Sequence, residues 1–417
     1  MQKKILHSLL MVAISVYSVF ASGFSIYEQG AKATAMGGAF IAQANDATAV
    51  FYNPAGITEL SGIKLVLGTT IIQPQFSFTG PQNVDPLLYN EAKSQIFTPI
   101  HLYTTVPIGE KLAFGFGVFN LFGLGSDWGD DWVGKQLATN TSVETFFFNP
   151  VFAYKILDNL SVAAGFNLAY GTVTMEKQIY FSPRMVFGGS KLEANAVGYG
   201  WNLGIKWSPM DKLSLGATYR SEVLMPFKGG DATFSFPPTG NPIADAEIAA
   251  YFPNTKGSAD LTLPAVIGAG ISYRFTDRLT AEFDFLQMNW SSYDELIIKF
   301  DDPVAGQKEI PSEKGYIDSY SLRFGLEYLI NDAWAVRAGY LRDNHAVPDK
   351  RVEPSLPEGD RNLYSLGVGF QTGSFMIDAY YMLLMQEDRN IIDSVDDFNG
   401  MYKGIGNLYG ITIGYSF

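Results

Sequence analysis

The chain contains no cysteine. Disulfides therefore hold nothing together, and thiolate metal sites and cysteine nucleophiles are excluded. Histidine is scarce too: three in 417 residues, and His7 lies in the N-terminal apolar stretch. Only His101 and His345 remain for acid–base work. No Gly-x-Ser-x-Gly elbow and no metal-ligand spacing accompany them. Neither an enzyme nor a cofactor is expected. Charge is also sparse, at 17%, and acids outnumber bases 42 to 29 for a formal charge of −13. Such a surface repels nucleic acid. Finally, no uninterrupted apolar run beyond residue 21 approaches the ~18 residues that a membrane-spanning helix needs. Yet the chain is 47% hydrophobic and 14% aromatic, too apolar for disorder. Its apolar content must be dispersed among many short elements.

Residues 1–21 stand apart. Lys3 and Lys4 precede a mostly apolar stretch from Ile5 to Phe20, and Val19-Phe20-Ala21 places small residues at the −3 and −1 positions of a cleavage site. This reads as a signal peptide of an exported protein, cleaved before Ser22. Losing Lys3 and Lys4 takes the formal charge from −13 to −15.

The rest is dominated by alternation. Near the C-terminus, Tyr409, Ile411, Ile413, Tyr415 and Phe417 alternate with Leu408, Gly410, Thr412, Gly414 and Ser416. Val197, Tyr199, Trp201, Leu203, Ile205 and Trp207 alternate with Ala196, Gly198, Gly200, Asn202, Gly204 and Lys206. Period-2 alternation is a strand between two unlike environments. The second face is rich in Gly, Ser and Asn. The apolar face carries aromatics at both ends, as the lipid-facing band of a transmembrane barrel does.

Short turns such as "KILDNLS" and "RFTDRL" separate pairs of strands, and long loops at 121–140, 178–192, 237–258, 301–313, 343–360 and 387–403 join the other ends. That asymmetry fits short periplasmic turns and long outer loops. The pattern predicts strands at 63–78, 94–107, 111–122, 141–156, 160–177, 193–208, 212–236, 258–275, 278–300, 314–330, 333–342, 361–372, 374–388 and 404–417. The expectation is an all-β protein, a 14-stranded antiparallel transmembrane β-barrel over residues 62–417. Closure pairs every strand and replaces disulfides as the source of stability.

Residues 22–61 do not alternate. "SIYEQGAKATAMGGAF" and "DATAVF" read as short helices broken at Gly37-Gly38 and Asn53-Pro54. The segment is too short-stepped to span a bilayer and too apolar to sit in water. A barrel of this size has a lumen to fill. The segment is therefore expected to be a small helical hatch inside it.

The start "SGF" (Ser22–Phe24), the block "GAFIAQANDATAVFYNPAGI" (Gly38–Ile57), "GLGSDWGDDWVGK" (Gly123–Lys135), "YRSEVLMPFKG" (Tyr219–Gly229) and "DNHAVPDKRVEPSLPEGDRNLYSLGVGF" (Asp343–Phe370) resemble the FadL/TodX family of outer-membrane transporters. The resemblance covers essentially the whole mature chain. It implies passive uptake of long-chain fatty acids or other hydrophobic small molecules. Capture at an external groove would precede an interior pocket and lateral exit at a kink in the third strand. The kink maps to Gly123, where glycine relaxes strand pairing at little steric cost. A general diffusion porin and a structural or adhesive outer-membrane barrel are the competing readings.

Individual residues carry these expectations unequally. Asn53, Pro54 and Ala55 form the hatch motif, a helix-ending turn that either plugs or moves. The resemblance places Phe24 beside the substrate; simple packing is the alternative. Lys177 shares inward parity with Asn167, Gly171, Val173 and Met175 and matches a family pocket base, though it also suits a solvated rim. The family's second base falls on Ile317, a departure that leaves neutral hydrocarbons open as substrates. Asp378 is inward and needs a cation, Arg323 or Arg337. The acidic runs Asp127/Asp130/Asp131 and Asp393/Asp396/Asp397 are candidate cation bridges to lipopolysaccharide among the outer-membrane lipids, with solvated loop charge as the plainer reading. A monomer is expected.

Overall fold

The structure, a computed structural model, describes residues 23–417. The expected signal peptide, residues 1–21, lies outside the described residues.

Fourteen antiparallel strands close on themselves. They are β1 (Lys64–Thr79), β2 (Ile100–Ile108), β3 (Leu112–Phe119, resuming at Gly123–Asp127), β4 (Asn140–Leu157), β5 (Leu160–Phe181), β6 (Val186–Met210) and β7 (Leu213–Arg220, then Val223–Ser235). There follow β8 (Thr255–Leu263, then Val266–Arg274), β9 (Leu279–Met288, then Glu295–Val304), β10 (Gln307–Glu313, then Ser319–Leu329), β11 (Trp334–Asp343), β12 (Arg361–Thr372), β13 (Phe375–Gln386) and β14 (Gly400–Ser416). Closure is made by β14 against β1, in register from Lys64 opposite Ser416 to Thr79 opposite Met401. No described helix is long and apolar enough to cross a membrane.

Side-chain alternation follows the sequence. On β6, Tyr199, Trp201, Leu203, Ile205 and Trp207 are exposed, while Asn202 and Lys206 are buried. On β14, Tyr409, Ile411, Ile413 and Tyr415 are exposed, and Leu408 and Thr412 face in. An apolar belt outside and polar side chains inside is the signature of a barrel in lipid.

Strand ends differ from the sequence reading where hydrophobic patterning gives out. The expected loop at 178–192 is mostly strand, because β5 and β6 keep pairing as far as Phe181 opposite Val186. The expected loop at 301–313 is a hairpin, with Val304 opposite Gln307. Above the membrane both faces of a strand meet water or loops, so alternation fades while pairing continues. The loop at 237–258 holds a helix, α1 (Pro242–Tyr251), capped by Asn241.

Residues 23–60 touch strands all round the ring. Ala31 N donates to Thr412 Oγ1 on β14 at 2.8 Å, Gly37 N to Ser365 on β12 at 3.1 Å, Phe40 N to Asp284 on β9 at 2.7 Å, and Thr58 meets Ser161 on β5 at 2.7 Å. Only a segment inside the barrel can reach such distant strands. Met36, Ala39, Phe40, Ala49 and Val50 are fully buried there. The lumen is packed by chain rather than open.

Several charged lumen residues are paired. Asp378 pairs with Arg337 at 2.5 Å; Arg337 also pairs with Glu327 at 2.7 Å, and Glu327 with Lys32 of the inner segment at 3.5 Å. Arg323 takes another role: its guanidinium bonds Gly38 O at 3.2 Å and covers the Tyr27 ring. A buried carboxylate without such partners would carry a heavy desolvation cost.

Candidate binding site

Four adjacent strands break at one level of the wall. The lower segments end in a single row, Arg220 opposite Val266, Val266 opposite Met288, and Met288 opposite Ser319. Pairing resumes above at Val223 opposite Leu263. The freed residues turn inward. Residues 289–294 of β9 deliver Trp290, which is fully buried, and Tyr293. Residues 314–318 of β10 deliver Lys314 and Tyr316. Breaks like these open space inside a wall that continuous strands would fill.

Beside these breaks lies a first chamber of about 120 Å³. Its walls are mostly apolar: Val143 on β4, Val173 and Met175 on β5, Leu192 and Ala194 on β6, Phe227 on β7 and Leu261 on β8. Lys314 is its ammonium group, bonded to Glu353 at 2.6 Å. Glu353 comes from the outer loop at 344–360, with Ser355 and Leu356. Burial alone would raise the Glu353 pKa, but the Lys314 ammonium outweighs it and holds the carboxyl below its usual range. At neutral pH the two are therefore an ion pair.

A second chamber of about 390 Å³ lies against the first. Phe24, Leu124, Val143 and Leu356 line both and form the partition. Phe24 is held in an aromatic cluster, 4.7 Å from the Trp290 ring and 5.9 Å from Phe122 between centroids. Its neighbour Gly23 donates its N–H to Glu358 at 2.5 Å, and Glu358 also accepts from Val347 N at 3.0 Å.

The second chamber reaches a flaw in the wall. The ladder between β2 and β3 ends at His101 opposite Phe119. Beyond it, residues 96–99 on one side and 122–125 on the other line the chamber. Opposite β4, β3 advances from Phe119 to Gly123 while β4 moves only from Phe147 to Glu144, so β3 carries one extra residue, a bulge. Side chains replace the lost ladder: Asn120 Nδ2 donates to Thr145 O at 2.8 Å, and Thr145 Oγ1 accepts from Phe122 N at 3.0 Å. The inner segment fills in from within, Ile26 N donating to Leu121 O at 2.7 Å and Gly123 N to Phe24 O at 2.9 Å. A Cβ on Gly123 would stand 2.6 Å from Ile26 Cδ1, so glycine admits this approach.

The Asn53 motif is a pin. Its Nδ2 donates to Ile41 O at 2.8 Å and to Ile205 O on β6 at 2.9 Å, while its Oδ1 accepts from Ala55 N at 3.2 Å. Pro54 starts the following turn. Opposite, any Cβ on Gly204 would stand 2.4 Å from Asn53 Oδ1. Lys206, also on β6, bonds Gln43 O at 2.7 Å and Glu59 at 2.8 Å.

Of the residues singled out in the sequence, Phe24 and Gly123 line chambers. Lys177 and Ile317 line neither. Lys177 is exposed on the inward side of β5 beyond Met175, and its charge acts on Glu353 and Asp396. Ile317 is part-buried and donates its N–H to Ala346 O at 2.9 Å. The cation that does reach the first chamber, Lys314, sits in a stretch that hydrophobic patterning assigns to an unbroken strand. Among the described residues no carboxylate or histidine cluster suits a metal ion.

A sequence profile described as outer membrane protein transport protein (OMPP1/FadL/TodX) matches residues 11–417. The chain belongs to this family. Members are transporters and channels rather than enzymes, and the family resides in the outer membrane, which places this FadL/TodX chain there. It is 25% identical over 435 residues to the 47 kDa outer membrane protein of Pasteurella multocida, covering 99% of each chain. It is 25% identical over 449 residues to the long-chain fatty acid transport protein of Escherichia coli K12, covering 98% of each. Its fold matches that of a Pseudomonas aeruginosa FadL homologue, with a TM-score of 0.84, 20% identity, and 95% and 100% of the two chains covered. The Pseudomonas putida toluene transporter TodX gives a TM-score of 0.73 at 16% identity over 94% and 99%.

Proposed function

We propose that this chain admits long-chain fatty acids or hydrocarbons across the outer membrane by passive diffusion, and that residues 23–60 act as its hatch. The supporting observation is the pair of mostly apolar chambers divided by Phe24, the second of which reaches the end of the β2–β3 ladder. A ligand in the first chamber meets Lys314 at one end and the Phe24 partition at the other. Displacing Phe24 joins the chambers, and the bulge in β3 then provides a sideways exit into lipid. No energy source is required, because apolar surface moves between water, protein and bilayer along its own gradient. The relatives named for fatty acid and toluene transport bracket the substrate class.

Deleting Leu121 removes the extra residue and lets β3 pair continuously past Gly123. This should abolish uptake of labelled oleate by cells while equilibrium binding to the purified protein persists. Normal uptake would instead indicate axial passage through the lumen.

A further inference from the structure

The second chamber carries polar groups that passage of a hydrocarbon does not use. Glu28 of the hatch lines it, and no donor from another described residue reaches its carboxylate. Asp343, at the end of β11, is 2% exposed and also lines it. Its Oδ2 accepts from Arg361 Nη2 at 3.2 Å, but its Oδ1 has no hydrogen-bond partner. Arg361 Nε, on a third lining residue, has none either. Leu341, Leu363 and Leu384 give the chamber its apolar wall, and Ser25, Asn120, Ser142 and Glu144 add further polar groups to the lining.

The Glu28 carboxylate, an acceptor, and the Arg361 guanidinium, a donor, both line this cavity, and together they define a complementary ligand group. It must both give and receive a hydrogen bond. It must also be uncharged. A carboxylate can only accept, and it would face the Glu28 and Asp343 carboxylates. An ammonium can only donate and would leave Arg361 unmet. A hydrocarbon satisfies none of them, and buried polar groups left unmet weaken binding. We propose that the second chamber is a binding site for the hydroxyl head of an otherwise apolar molecule, a fatty alcohol or an alkylphenol. The hydroxyl donates to Glu28 or Asp343 and accepts from Arg361, while the tail lies along the leucines. The two chambers then differ in the groups they offer a head group, with Lys314, Glu353, Glu193 and Asp231 in the first and Glu28, Asp343 and Arg361 in the second. This inference rests on the second chamber being part of the transport route.

Equilibrium binding of labelled 1-dodecanol, its methyl ether and dodecane to the full chain in nanodiscs tests it. The alcohol should bind roughly ten- to a hundredfold more tightly than the ether or the alkane, the range for one hydrogen bond to a charged acceptor. Glu28→Leu should bring the alcohol close to the alkane without weakening the alkane. Glu28→Gln, which keeps an acceptor but loses the charge, should retain a gain of about two- to tenfold, the range for a hydrogen bond to a neutral acceptor. Heat-modifiable migration on gels confirms that both variants fold. The same comparison between 4-octylphenol and octylbenzene tells which hydroxyl source the chamber prefers. Equal loss of all three dodecyl ligands in Glu28→Leu would mean that Glu28 only packs, and the proposal fails. Alcohol binding no better than alkane in the wild type would mean that water alone occupies the polar end, and it also fails. Failure of all three to bind the wild type would overturn the transport reading as well.

Discussion

The two ends of the inner segment are held by different forces. Residues 40–58 are pinned by directional bonds. Asp284 Oδ2 accepts from Phe40 N at 2.7 Å and Ile41 N at 2.9 Å. Glu282 accepts from Ala42 N at 2.7 Å and Gln43 N at 3.0 Å. Asn53 and Lys206 add bonds between the segment and β6. Residues 23–28 are held otherwise. Phe24 leans on Trp290 and Phe122, and a few backbone bonds tie it to β3 and the outer loop. Bonds of the first kind fail if anything moves by an ångström. Apolar contacts are non-directional, so another apolar body can substitute for a ring. We propose that the difference separates a fixed plug from an exchangeable gate.

Removing the plug should have the largest effect. Deleting residues 24–58 should leave a folded, heat-modifiable barrel, because strand pairing supplies its stability. Lumen charges such as Asp378 and Arg337 keep each other as partners and gain water. Single-channel conductance in planar bilayers should rise from near closure to a steady pore. Conductance no different from wild type would end the plug assignment.

Cutting the pins should have the next largest effect. Glu282→Ala with Asp284→Ala strips acceptors from four consecutive N–H groups. A hydrogen bond contributes about 0.5–3 kcal/mol, most where the acceptor is charged, so losing four costs several kcal/mol. The hatch should then become sensitive to protease in detergent, and conductance should appear in bursts. Phe24→Ala should instead leave the hatch resistant and change ligand affinity. If both variants behave alike, the contrast between pinned and exchangeable ends is wrong.

Much of this division could be read from residue order, and some could not. Strands at 197–207 and 408–417 announce themselves because lipid and lumen impose opposite chemistries on alternate residues. Asn53-Pro54 and the failure of alternation before residue 62 mark the inner segment for the same reason. The breaks at 289–294 and 314–318 are silent. Trp290 and Tyr316 are acceptable strand residues, so only their tertiary setting shows that they leave the wall. Glu282 and Asp284 have inward parity, but nothing local says that they accept from the backbone at residues 40–43. Asp378 advertised its need of a cation; geometry chose Arg337 over Arg323. Lys177 shows the limit of parity. Parity tells which side a residue faces, not how far up a 22-residue strand a chamber extends.

Head-group recognition tests the exchangeable end more finely. Lys314→Met should weaken binding of a long-chain fatty acid by about tenfold and barely affect its methyl ester, as measured by tryptophan fluorescence titration. A charge-assisted bond allows about 1.5–3 kcal/mol, and about 1.4 kcal/mol is tenfold. The lower end applies because Glu353 already engages the ammonium, so the ligand carboxylate must displace or share it. Equal weakening of acid and ester would make Lys314 a packing residue.

The smallest effect belongs to Lys177. It faces inward from β5 but is exposed, and Met175 is the last β5 residue to line the first chamber. Its charge reaches the site indirectly, by acting on Glu353 and Asp396. Loss of that charge leaves Glu353 more dependent on Lys314, which tightens the existing pair slightly against an incoming carboxylate. Exposed charges interact weakly and are screened by salt. Lys177→Met should therefore lower fatty-acid affinity by no more than about twofold at low salt, within the roughly 0–1 kcal/mol range of exposed charge interactions. The difference should vanish at 0.5 M salt, where the screening length falls to about 4 Å. The same titration, at two salt concentrations and with the methyl ester as control, decides it. A tenfold loss that survives high salt would put the Lys177 ammonium in direct contact with the ligand, and the binding chamber would then extend further up β5 than its apolar lining does.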